Sequence, residues 1–199
     1  MTSQPHPPPQ DALAEAVHLA GDLVRRVAPE QWAAPTPCEG WNVRQLVDHV
    51  VAGQQLFARV LGGEPFDDAF AAVRSQTDRL ADDPAGAYDV SAGAMLAAFA
   101  APGVLDRTVR VPFGTVPGAV ARHLRITEAL VHGWDLARAI GAPFDPPARL
   151  VEPELAAAGP LLSAVPPERK VFAPSQQAGD GARPIERLVA LLGRSPTPA

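Results

Sequence analysis

The chain has 199 residues, of which 47% are hydrophobic and 20% charged, and its formal net charge is −5. This composition is typical of a globular domain with a sizeable core, and the acidic balance argues against nucleic acid or an anionic membrane as the main partner. No apolar run reaches the length of a membrane-spanning helix, and a secretion signal is not evident. The single cysteine fits a reducing compartment. We therefore expect a cytoplasmic protein that binds neither nucleic acid nor membrane.

The predicted elements, in chain order, are a disordered tail and a series of helices. Residues 1–10 hold four prolines and no apolar period, so we expect them to be disordered. Apolar residues then recur at helical spacing and predict helices at 11–28, 43–61, 67–81, 84–100, 117–140, 152–164 and 185–192. Residues 108–112 favour an extended piece, but no partner strand is evident. The pattern predicts an all-α bundle over residues 11–145 and a C-terminal extension, residues 146–199, that packs on it.

Two of the predicted helices carry residues that bind metals in proteins. Glu128 and His132 are four residues apart on the fifth helix and therefore share a face. His49 lies beside the core stripe of the second helix, and Gly53, one turn later, leaves space that a side chain would otherwise fill against the imidazole. If the three side chains meet, two imidazoles and a carboxylate form a set that zinc accepts while one position stays open.

The residue types alone leave other interpretations open. A buried histidine is often a hydrogen-bonded core residue, and Glu128 could pair with Arg125 or with an arginine of another helix. Asp135 could orient His132 from behind, although a pair with Arg138 or a cap on a packing contact is the preferred interpretation.

Several further residues receive weaker assignments. Cys38 lies in a proline-rich turn and is interpreted as structural, and His123 as a surface residue. Trp41 is expected to pack in the bundle or to wall the pocket. The tail arginines 183, 187 and 194 are weak candidates for contacts with an anionic substrate or thiol.

Two segments carry a resemblance to a known family. They are residues 35–50, PTPCEGWNVRQLVDHV, and residues 127–141, TEALVHGWDLARAIG. Both resemble the DinB-like superfamily, in particular the actinobacterial branch that includes the metal-binding domain of mycothiol-dependent maleylpyruvate isomerase. The resemblance implies a four-helix bundle in up-down-down-up order with a long crossover. It also implies that zinc or nickel is held by His49, Glu128 and His132.

The resemblance further implies an enzyme. A low-molecular-weight thiol such as mycothiol would bind the metal as a thiolate and attack a small electrophile, as in a thiol transferase or an isomerase-like protein. The residues after 145 are too few for the separate C-terminal domain of the isomerase, so maleylpyruvate isomerisation itself is in doubt. No general acid or base and no thiol-binding residue is assigned.

Two other functions stay open at this point. One is a non-catalytic metal-binding bundle that acts in stress response, in regulation or as a partner-binding scaffold. The other is an enzyme that uses the pocket for a different small-molecule rearrangement. The oligomeric state is open too, with a homodimer as one option.

Overall fold

The computed structural model describes residues 9–164 and 173–196, with side chains for residues 12–159 and 173–196. Within these ranges the helices are α1 (Pro9–Val24), α2 (Val43–Leu61), α3 (Phe66–Ser75), α4 (Pro84–Phe99), α5 (Gly118–Ile140), α6 (Ala148–Ala164) and α7 (Pro184–Leu191). Most bounds agree with the predicted ones to within a few residues. Helix α3 ends earlier than predicted, and Pro9 and Gln10 of the predicted tail belong to α1. Residues 1–8 of that tail lie outside the described residues.

Helices α1, α2, α4 and α5 form a four-helix bundle in the predicted up-down-down-up order. Helices α2 and α4 run parallel, since Phe57 and Phe99 stack near their C-terminal ends with ring centroids 6.4 Å apart. At the end of the bundle where α1 and α5 finish, Gln31 donates to the carbonyl of Ile140 at 3.1 Å. The crossover between α2 and α4 contains α3. The all-α fold class predicted from the sequence is confirmed.

The core is built from apolar residues at helical spacing on all four bundle helices. Its most deeply buried members include Leu13, Val17, Leu46, Val47, Met95 and Leu130. The apolar stripes of the bundle helices meet in one core, and α5 is buried on all sides over residues 129–137. None of the helices within the described ranges is long and apolar enough to span a bilayer.

The two helices that carry the candidate ligands have well-defined ends. Asn42 caps α2 by accepting from the backbone N–H of Gln45, and the Gln45 side chain accepts from the backbone N–H of Asn42. Helix α5 ends at Gly141, which has a left-handed φ of 68° that favours glycine. These ends fix the start of α2 and the end of α5 along the chain.

A short hairpin corrects one prediction. Strand β1 (Thr108–Val111) pairs antiparallel with β2 (Gly114–Pro117), whereas the sequence suggested no partner strand. The partner was missed because β2 is only four residues long and begins with glycine and ends with proline, both depleted in strands. Val109 and Val111 of β1 are buried, so the hairpin covers the bundle before α5 begins.

The C-terminal helices pack against α5. Glu154 of α6 is buried and lies 2.9 Å from Nδ1 of His123, and it accepts from the Thr127 hydroxyl at 3.1 Å. Ile185 and Leu188 of α7 are also buried. This packing places Arg194, which follows α7, against Asp135 of α5.

Gly118, at the start of α5, is expected to tolerate no larger residue. An added Cβ would lie 2.1 Å from the Val104 carbonyl oxygen and 2.9 Å from the Leu105 Cα, and backbone atoms cannot move aside cheaply. We expect Gly118→Ala to lower the free energy of unfolding by about 1–3 kcal/mol in urea denaturation.

Gly93 of α4 is the matched control, because it is exposed and an added Cβ would have no neighbouring atom within 4 Å. Gly93→Ala is expected to raise the free energy of unfolding by up to about 1 kcal/mol. Equal effects of the two substitutions would contradict this description of the α5 start.

Candidate metal centre

The three predicted ligands come together in the fold. Glu128 Oε2 lies 3.4 Å from His49 Nε2 and 3.4 Å from His132 Nε2. The three donor atoms all lie within 4.8 Å of one another. We call these three residues the donor cluster. Helix α2 supplies one member and α5 the other two, so the cluster joins two distant segments of the chain.

The spacing of the donor cluster suits a tetrahedral metal ion. Zinc binds imidazole nitrogen and carboxylate oxygen at about 2.0–2.2 Å, which puts two donors at tetrahedral angles about 3.3 Å apart. The side chains of His49, Glu128 and His132 are 42%, 22% and 7% exposed. The cluster is therefore reached by solvent on the His49 side.

Glu128 and His132 each stabilise the charged form of the other. Burial raises the pKa of Glu128, but the charge of His132 and hydrogen bonds from both histidines bring that pKa well below its usual value. Burial lowers the pKa of His132, but the Glu128 charge and a hydrogen bond to Asp135 bring it well above its usual value. A divalent cation that binds here displaces the His132 proton, so binding is expected to strengthen as the pH rises.

Asp135 holds the other nitrogen of His132. It is fully buried, and its Oδ2 lies 3.1 Å from His132 Nδ1. The predicted pair between Asp135 and Arg138 is wrong: the Arg138 guanidinium lies over the Trp134 ring, 5.6 Å from its centroid. A carboxylate behind a metal-binding histidine fixes the ring so that the opposite nitrogen faces the metal. Here that nitrogen is Nε2, which belongs to the donor cluster.

Two further residues complete the arrangement around Asp135. Arg194 donates to Asp135 Oδ2 at 2.9 Å and to Oδ1 at 3.3 Å, and the Cys38 thiol donates to Oδ2 at 3.2 Å. Cys38, His132 and Asp135 are also residue types that bind metals, and their polar atoms lie close together. Arg194 Nη2 is 3.2 Å from Cys38 Sγ as well, so the Arg194 guanidinium places a positive charge beside both Cys38 and Asp135.

The roles of these two residues could be predicted from the sequence only in part. The turn around Cys38 favours a structural role, and Arg194 is a weak candidate for contact with an anionic substrate or thiol. The other tail arginines form exposed ion pairs: Arg183 with Glu186 and Asp145, and Arg187 with Glu152. The buried contact of Arg194 had no local signal, because its partner lies on a helix that ends more than fifty residues earlier.

Trp41 and Arg125 flank the donor cluster. The Trp41 ring lies 4.6 Å from the His49 ring, between centroids, and forms a wall of the site. On the other side, Arg125 Nη1 lies 3.8 Å from Glu128 Oε2. An added Cβ at Gly53 would lie 2.7 Å from Arg125 Nη1. The glycine therefore makes room for the guanidinium, and its predicted role in giving space to the His49 ring is wrong.

Comparison with known proteins now defines the class of protein. Residues 13–137 match the family described as the mycothiol maleylpyruvate isomerase N-terminal domain. The match spans more than half of the chain, so the chain belongs to this family. The predicted family resemblance is confirmed.

The chain is also similar to individual proteins and solved structures. Two uncharacterized proteins of Mycobacterium tuberculosis, from strains CDC 1551 and H37Rv, are each 34% identical to the chain over 193 residues, which is 96% of both partners. The crystal structure of the mycothiol-dependent maleylpyruvate isomerase superposes with a TM-score of 0.59 at 19% identity, covering 76% of this chain and 69% of that one. A histidine-to-alanine mutant of that isomerase gives a TM-score of 0.58 at 17% identity. At this identity the structures support the shared fold.

Proposed function

We propose that this protein is a metal-dependent enzyme that transfers a low-molecular-weight thiol, mycothiol or a similar one, to a small electrophile. The observation that carries the proposal is the donor cluster, in which Glu128 Oε2 lies 3.4 Å from the Nε2 atom of each histidine and His49 is partly exposed to solvent. Membership of the mycothiol maleylpyruvate isomerase N-terminal domain family supports the choice of a thiol as co-substrate. We further propose a cytoplasmic location and small-molecule partners, with a homodimer as an option.

Each member of the donor cluster has a separate task in this proposal. A zinc or nickel ion held by His49, Glu128 and His132 would supply a positive charge that lowers the pKa of a thiol beside it. His49 and His132 would each offer the lone pair of Nε2 to the ion. Glu128 adds one negative charge, which lowers the net charge of the site relative to three histidines and keeps the sulfur nucleophilic.

The residues around the donor cluster position it. Asp135 keeps the His132 ring turned so that Nε2 faces the other donors, and Arg194 keeps Asp135 in place. Trp41 covers one side of the His49 ring and limits the access of water there. A new S–C bond forms when the thiolate attacks an activated double bond or a strained ring. The displaced electron pair then takes a proton from solvent.

A thiol-conjugation assay tests the proposal. Zinc-loaded protein is mixed with a bimane or epoxide electrophile and with mycothiol, cysteine or glutathione in turn. We expect metal-dependent turnover with at least one thiol, its loss in His49→Ala, and its retention in His123→Ala, whose imidazole contacts Glu154 away from the donor cluster.

The assay also separates the alternative functions. Stoichiometric metal without turnover for any thiol would contradict the proposal and favour a non-catalytic metal-binding bundle in stress response, regulation or scaffolding. Turnover that survives both a chelator and His49→Ala would rule out a reaction at the donor cluster.

A further inference from the structure

Four ionisable residues form one stripe along α5. Arg125, Glu128, His132 and Asp135 follow each other at spacings of three, four and three residues, which keeps them on one face of the helix. At the C-terminal end of the stripe, Asp135 is fully engaged with Arg194, Cys38 and His132. Arg125, at the other end, is engaged far less.

Arg125 is a buried cation with incomplete pairing. Its side chain is 5% exposed, and its Nε has no hydrogen-bond partner in the described part of the chain. The ion pair of its Nη1 with Glu128 Oε2 is 3.8 Å long, which exceeds a hydrogen bond. The Phe57 ring, 5.0 Å from the guanidinium carbon, offers a cation–π contact that offsets part of the burial cost. A buried guanidinium is normally paired with an anion.

The proposed function would leave the Arg125 guanidinium with still less negative charge to pair with. Glu128 is the acidic group closest to Arg125, and a bound metal ion draws on the same carboxylate oxygen. The metal and the guanidinium together then carry more positive charge than Glu128 neutralises. An anionic group that binds beside the metal, within reach of Nη1, compensates the excess.

We propose that Arg125 is the anchor for a carboxylate group on the electrophilic substrate, so that this site prefers acidic electrophiles. The inference rests on the proposed function and names its substrate class. The planar guanidinium matches a carboxylate through two parallel hydrogen bonds, and this bidentate pair is strongest where water is excluded. Because Arg125 is one turn from Glu128, a carboxylate held by it lies next to the donor cluster.

Gly53 provides independent support. It lies on α2 one turn after His49, and its missing side chain is what admits the guanidinium: an added Cβ would be 2.7 Å from Nη1 and 3.2 Å from both Cζ and Nη2. The obstructing atoms are the far end of a flexible side chain, so the fold can accept an alanine by displacing the guanidinium. Gly53→Ala therefore moves the anchor while its charge is kept.

Calorimetric binding of succinate, with the neutral succinamide as its counterpart, tests the inference without any turnover. We expect zinc-loaded protein to bind succinate at least about tenfold more tightly than succinamide, and the preference to fall about ten- to a hundredfold in Arg125→Gln, as for loss of a charge-assisted pair. Gly53→Ala is expected to weaken succinate binding in the same direction, and Arg125→Lys to restore part of it.

Arg122→Gln is the matched control, since Arg122 is another buried arginine of α5 and its charge faces Glu154. We expect its succinate affinity to stay within about twofold of the parent.

The outcomes separate this inference from the proposed function. Normal zinc binding with no preference for succinate, or a preference that survives both Arg125→Gln and Gly53→Ala, would overturn the carboxylate anchor and leave the metal site intact. Failure to bind zinc would defeat the proposed function. In that case a succinate preference that depends on Arg125 would still support the anchor, and its absence would overturn it.

Discussion

His49→Ala is expected to lower the affinity for zinc by more than about a hundredfold. Loss of a residue that only orients a ligand typically costs ten- to a hundredfold, and loss of a ligand itself costs more. His49 is suited to this test because its side chain is 42% exposed and its removal leaves no buried hole. Competition titration against a chromophoric chelator measures the dissociation constant directly.

His123→Ala provides the control for this experiment. It removes the same side chain from a residue of α5, where it contacts Glu154 and no member of the donor cluster. We expect its zinc affinity to stay within a few-fold of the parent protein. If His49→Ala binds zinc as tightly as His123→Ala does, the α2 histidine is not a ligand.

Arg194→Ala is expected to have the largest effect on stability. Asp135 is 0% exposed, and Arg194 supplies two of its ion-pair contacts. Arg194→Ala leaves this buried carboxylate with the His132 ring and the Cys38 thiol as its remaining partners, so we expect the free energy of unfolding to fall by up to about 3 kcal/mol. Urea denaturation of the metal-free protein measures this change.

The same substitution is expected to weaken zinc binding. Without Arg194, Asp135 holds the His132 ring less firmly, and loss of such support typically costs about ten- to a hundredfold in metal affinity. Arg187→Ala is the matched control, because this α7 arginine forms an exposed ion pair with Glu152. It should change stability by less than about 1 kcal/mol. Equal unfolding energies for the two variants would contradict the role assigned to Arg194.

The helices and the pairing of Glu128 with His132 could be predicted because their signals are local. Apolar periodicity marks each bundle helix, and the spacing between Glu128 and His132 puts both on one face whatever the rest of the chain does. That His49 joins them depended on the family resemblance, because nothing local to α2 shows which helix it will face. The convergence of the three side chains agrees with that expectation, and their metal remains a proposal.

The contacts of the supporting residues could be predicted only in part, because most of them join distant segments. Asp135 had a plausible local partner in Arg138, and only the folding of the tail onto α5 brings Arg194 to it. Gly53 and Arg125 are likewise a pair across two helices, so the glycine was assigned to the wrong neighbour. The hairpin partner β2 was missed because a four-residue strand carries almost no pattern of its own.

A crystal structure of the zinc-loaded protein, with data collected on both sides of the zinc absorption edge, tests the central claim most directly. We expect one anomalous peak about 2.0–2.2 Å from His49 Nε2, Glu128 Oε2 and His132 Nε2, with a fourth position facing solvent. A peak between Cys38 and Asp135, or no peak at the donor cluster at millimolar zinc, would contradict it.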